Sequence, residues 1–149
     1  MNETTKPSTG ATKELKRLDR FAGTWRTTGE IMANEQISAQ RVEGMDSFEW
    51  LPGGYFMLHR VDGRIGGEQI DSVELIGYDE SNKNDTMHSF GPRGATSMMQ
   101  ATVDVTNWNF FSDTERFTGS FNKAGNEITG LWERREGNDW VGWMNVRFE

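Results

Sequence analysis

The sequence predicts an all-β fold: a closed, antiparallel up-and-down β-barrel of about ten strands with a short helix over one end. Three observations carry this expectation. Helical periodicity stops at Gly23, and strand-like segments of roughly 6–12 residues follow to the end of the chain. The segments are separated by "MANE", "LPGG", "DGRIGG", "DESNKN", "GPRG", "VTN", "SDT", "NKAGN" and "EGND", most of which have hairpin-turn chemistry. None of these connections is long enough for a crossover, so neighbouring strands must pair antiparallel. A meander of that length leaves two open edges unless it closes on itself, and closure makes a barrel.

Taken in order, residues 1–11 are small and polar and read as a disordered tail, and residues 12–149 read as a single domain. Thr12 is placed to cap a helix, with Glu14 in its first turn and Leu15, Leu18 and Ala22 on one face. The helix spans only two to three turns by this reading, too short to stand alone, so it must pack on the barrel. Trp25, at the helix-to-strand junction, is suited to close that end. Arg147, on the last strand, lies over it if first and last strands meet. Strands are expected near 24–32, 36–49, 55–62, 68–78, 84–90, 95–105, 107–112, 115–122, 127–135 and 139–148. The turn Pro52-Gly53-Gly54 should hold at least one glycine at positive φ.

Composition narrows the function. Hydrophobic residues make up only 34% of the 149, yet there are nine Phe and six Trp, so a few large rings supply much of the apolar burial. The net charge of −7, with no Lys/Arg cluster, counts against nucleic acid and against anionic membranes as partners. There is no cysteine, hence no disulfide and no thiolate chemistry. The polar opening residues and the lack of a long apolar run lead to a cytoplasmic expectation. Sequence leaves open whether the chain is a monomer or a homodimer.

"LDRFAGTW" resembles the opening of lipocalin-like (calycin) barrels, in which a G-x-W lies on the first strand and its Trp packs across one end. With "FEWLPGGYFMLHRVD", "VELIGYD", "FTGSF" and "GLWERREGNDWVGWM", the pattern is similar to a family of small bacterial proteins catalogued as a domain of unknown function. The resemblance covers residues 15–148 or thereabouts and implies the barrel fold, without an established activity. Related barrels of the wider group bind hydrophobic small molecules, and some hold haem through a histidine on a late strand. This chain departs from that haem pattern, because no histidine follows His88.

Candidate site residues come from strand alternation. Tyr55, Met57, His59 and Val61 share a face opposite Phe56, Leu58, Arg60 and Asp62, and the charged pair is easier to place in water. His59 therefore points inward, either as a satisfied core histidine or as a polar handle for a ligand. Glu74 shares a face with Ile70, Ser72, Ile76 and Tyr78. It is either outward or a buried carboxylate. His88 shares a face with Thr86 and Phe90 near a strand end, which suits the rim. Trp132 and Arg134 share a face. An inward Arg134 beside Glu74 would form a buried ion pair.

No catalytic signature is present, and two histidines without spaced partners do not make a metal site. No cofactor is expected. The reading is a barrel that binds a small, mostly apolar molecule through His59, Tyr55, Met57, Glu74, His88, Trp132 and Arg134. One alternative is an enzyme that uses His59 and Glu74 as a general acid/base pair. Another is a haem- or gas-binding barrel with His59 as axial ligand.

Overall fold

Ten strands form close to where period-two alternation and turn chemistry place them; the second begins at Gln40 and not near 36, and the third runs on to Ile65, past the expected 62. The computed structural model describes residues 13–149. In chain order the strands are β1 (Gly23–Ile31), β2 (Gln40–Trp50), β3 (Met57–Ile65), β4 (Glu68–Asp79), β5 (Asn84–Phe90), β6 (Thr96–Val103), β7 (Asn107–Phe111), β8 (Glu115–Phe121), β9 (Ile128–Glu136) and β10 (Asp139–Phe148). Each pairs antiparallel with the next, and β1 also pairs with β10, with Thr27 opposite Phe148 and Ile31 opposite Met144. Arg26 and Glu149 exchange backbone hydrogen bonds of 2.7 and 2.9 Å, which extends the closing seam by one step. The expected up-and-down barrel is thus complete, with no free edge. No helix among the described residues is long and apolar enough to cross a membrane.

The helix differs from the expectation in an instructive way. The tail 1–11 and the cap at Thr12 lie outside the described residues. The described helical segment covers 13–21 and tightens to 3₁₀ over Lys16–Phe21. At three residues per turn, Leu15, Leu18 and Phe21 eclipse one another, and all three are buried. Ala22, expected on the apolar face, is the exposed residue after the last turn, and Phe21 takes its place.

Phe21 plugs the barrel. Its ring lies 4.3 Å from Trp108 and 5.4 Å from both Phe48 and Phe121. The Trp25 indole N–H donates to the Phe21 carbonyl at 2.8 Å, so Trp25 closes this end as its position predicts. The Trp50 indole N–H donates to Asp19 at 2.6 Å, tying the helix to the end of β2. Arg147 does not lie over Trp25. It points outward and pairs with Glu127 at 2.8 Å, because alternation on β10 gives the interior to its neighbours Val146 and Phe148. In the turn after β2, both Gly53 (φ 99°) and Gly54 (φ 76°) are left-handed, as the hairpin chemistry requires.

Candidate ligand cavity

Towards the end away from the helix, the barrel interior is not filled. A cavity of about 330 Å³ lies between the strands, and its outer part is lined by Val42, Ile65 and Ile70 at the far ends of β2, β3 and β4. Its two walls differ in chemistry.

The aromatic wall is built by β7 to β10. Trp108 and Phe110 come from β7, Phe117 from β8, Trp132 from β9 and Met144 from β10. Trp108 and Phe110 meet edge to face at 4.3 Å, and Phe110 and Trp132 at 5.6 Å. Phe117 can occupy this wall because two glycines stand beside it. A Cβ at Gly130 would come within 2.2 Å of the Phe117 ring, and one at Gly119 within 2.6 Å.

The opposite wall carries a hydrogen-bonded ladder with one polar side chain from each of five consecutive strands: Thr27, Asp46, His59, Glu74 and Ser89. The Thr27 hydroxyl donates to Asp46 Oδ1. His59 Nε2–H donates to Asp46 Oδ2 at 2.6 Å, and Nδ1–H donates to Glu74 Oε1 at 3.0 Å. The Ser89 hydroxyl donates to Glu74 Oε2 at 2.7 Å. Phe48 stacks on the imidazole at 4.0 Å with the planes only 10° apart, which holds the ring in the plane of its two partners.

Local sequence explains each placement. On β3 the buried positions are Met57 and His59, with exposed Arg60 and Asp62 on the other face. On β2 the buried positions are Val42, Asp46 and Phe48, so Asp46 shares the inward face with two apolar residues. Pairing then brings His59 opposite both Phe48 and Glu74.

The ladder sets the protonation state of His59. Burial pushes the imidazole pKa down, but hydrogen bonds to Asp46 and Glu74 and their negative charges outweigh it and raise the pKa from 6.5 to about 9. At neutral pH the ring is an imidazolium with both N–H groups committed to carboxylates. It therefore offers no lone pair to take a proton or to bind iron. Among the described residues, no group of three or more His, Cys, Asp or Glu is arranged to hold a metal ion.

Of the residues expected at the site, the cavity brings together His59, Glu74 and Trp132. The alternatives for Glu74 resolve to inward. Met57 is inward but wholly buried one step below His59, in the packed core and away from the cavity. Tyr55 packs against the same core from the turn before β3. The ligand-contact expectation for these two is corrected: the plugged end fills their part of the interior. His88 is also corrected. It is exposed on the outer face, because its neighbour Met87 takes the interior. Arg134 is exposed, with its guanidinium 5.3 Å from the Trp143 ring. With Arg134 on the surface and Glu74 bonded to His59 and Ser89 inside, the Arg134–Glu74 ion pair does not form.

Three ladder residues were not singled out from sequence: Thr27, Asp46 and Ser89. The available clue was Asp46, an acid alternating with Val42 and Phe48 on an otherwise apolar face.

No curated protein matches the chain. The solved structure of a de novo designed, fluorescence-activating beta barrel aligns over 88% of this chain and 94% of its own, at 10% identity and a TM-score of 0.47. Residues 10–106 match the family described as "Protein of unknown function (DUF1579)", and the chain belongs to that family.

Proposed function

We propose that the protein binds a small, mostly apolar molecule inside the barrel, in the manner of lipocalin-like proteins. The observation that carries this reading is the two-walled cavity of about 330 Å³. Its aromatic wall presents apolar surface that gains from contact with an apolar occupant, at roughly 25 cal/mol per Å² removed from water. Its ladder supplies fixed polar groups that orient that occupant, the usual division of labour in a ligand pocket. The His59–Glu74 contact required by an acid/base enzyme does form, but a ring that donates from both nitrogens is a poor base. Binding is therefore favoured over catalysis and over haem ligation.

The test is titration with the neutral fluorophore N-phenyl-1-naphthylamine, alongside native mass spectrometry of the protein as isolated. Saturable one-to-one fluorescence enhancement, or a co-purifying small mass, is the expected result. Absence of both overturns the reading.

A further inference from the structure

We infer that the cavity selects an occupant carrying a protonated amine, an aryl- or alkylammonium ion, and disfavours a carboxylate. This rests on the binding reading above and specifies its ligand chemistry.

The protons of the ladder are all in use. Within the ladder every donor is committed: the Thr27 hydroxyl to Asp46, both His59 N–H groups to Asp46 and Glu74, and the Ser89 hydroxyl to Glu74. What remains unused is acceptor capacity, since each carboxylate oxygen accepts one of these bonds and has a second lone pair. A ligand group that meets this wall must donate.

The ladder is anionic wherever its shared protons sit. Both nitrogens of His59 face carboxylate oxygens at hydrogen-bond distance, so each N···O line needs a proton. Two carboxylates with an imidazolium carry a net charge of −1. One carboxylate, one carboxylic acid and a neutral imidazole carry the same. The other charged side chains that border the cavity are Glu43 from β2, Arg64 from β3 and Glu115 from β8; Glu43 is paired with Arg41 at 3.4 Å, so these groups leave the charge of the ladder uncompensated. Arg64 already donates to the Gly67 carbonyl at 3.2 Å. Ser72 and Ser97 are the remaining hydroxyls of the lining and can give or accept a hydrogen bond.

The opposite wall favours a cation as well. Trp108, Phe110, Phe117 and Trp132 present ring faces and edges across from the anionic ladder. An ammonium group held between carboxylates and indole rings gains from both, because ring faces attract cations. A carboxylate in the same place meets the like charge of the ladder.

The experiment is isothermal titration calorimetry of the intact protein at pH 7.5 with three matched probes: 3-phenylpropylamine, 3-phenylpropan-1-ol and 3-phenylpropanoate. The amine is expected to bind about tenfold or more tighter than the propanoate, with the alcohol between them, as for a charge-assisted hydrogen bond. Propanoate binding as tightly as the amine overturns the amine inference and leaves the cavity reading standing. If none of the three binds, both fall. In a Glu74→Gln variant that still melts cooperatively, amine affinity should drop about tenfold, and by more than alcohol affinity does. Unchanged amine affinity in that variant also overturns the inference.

Discussion

The two walls of the cavity hold their shape by different means. On β7 to β10, rings pack against rings, and the cost of an error is local: a void or a collision. On β1 to β5, five polar side chains satisfy one another in a chain, and removing one link strands the next. The aromatic wall is therefore intolerant of crowding. The polar wall is intolerant of changes in proton count.

The largest effect should follow from breaking the ladder at its centre. His59→Ala leaves Asp46 and Glu74 facing each other in the interior without a cation between them. Loss of one partner from a buried ionic group costs about 3–5 kcal/mol, and we expect that loss in urea denaturation at pH 7. A change below about 1 kcal/mol would mean that water replaces the imidazole and that the ladder is not a unit.

The same group gives the polar wall a pH dependence that the aromatic wall lacks. The folded His59 pKa of about 9 lies above the unfolded value of 6.5. The native state therefore holds the proton more tightly. Its stabilising contribution is fully present below pH 6.5 and is lost as pH rises through 9. The loss should approach about 3 kcal/mol. Denaturation midpoints between pH 7 and 10 check this, and His59→Gln should flatten that part of the profile.

These expectations show which parts of the molecule were legible in the sequence. The ten strands were, because Gly-, Asn- and Asp-rich turns mark most of the hairpins and alternation marks the faces. The inward placement of His59 followed from exposed Arg60 and Asp62 beside it. Its partners did not follow, because Asp46 and Glu74 meet it through strand register and barrel curvature, which no single segment encodes. The errors have the same origin. His88 sits on a strand with two plausible faces, and only the packing of Met87 decides between them. Tyr55 and Met57 share the correct face, but how far the helix plug reaches into the barrel decides whether they meet cavity or core.

A smaller effect sharpens the contrast in tolerance. Gly130→Ala puts a methyl where a Cβ would stand 2.2 Å from the Phe117 ring. Crowding of this kind costs about 1–3 kcal/mol. Gly63, on the polar side, is the control: its nearest neighbour to an added Cβ is the Glu43 carbonyl at 3.5 Å, an ordinary contact. Gly63→Ala should stay within about 0.5 kcal/mol of the parent. Equal thermal shifts for the two variants would contradict the account of how Phe117 is seated.

The smallest effect tests a carboxylate that belongs to the polar half of the barrel but not to the ladder. Asp85, at the start of β5, is buried near the helix, and its carboxylate has no hydrogen-bond partner among the described residues. Burial pushes its pKa from 3.8 up to about 7, with Arg17 pulling it back and Glu14 adding to the rise. Because the folded value lies above the unfolded one, its contribution to stability is present below pH 3.8 and is lost as pH rises through 7. Above that, the fold carries a buried charge that desolvation opposes. Asp85→Asn removes the charge and keeps the shape, while giving up the attraction to Arg17. We expect the variant to be more stable than the parent by about 1 kcal/mol at pH 8 and to lose that advantage by pH 4. Parallel denaturation curves at the two pH values provide the measurement. A variant less stable than the parent at pH 8 would show that the Asp85 charge, like those of Asp46 and Glu74, is compensated by a neighbour, with Arg17 in the part that His59 plays in the ladder.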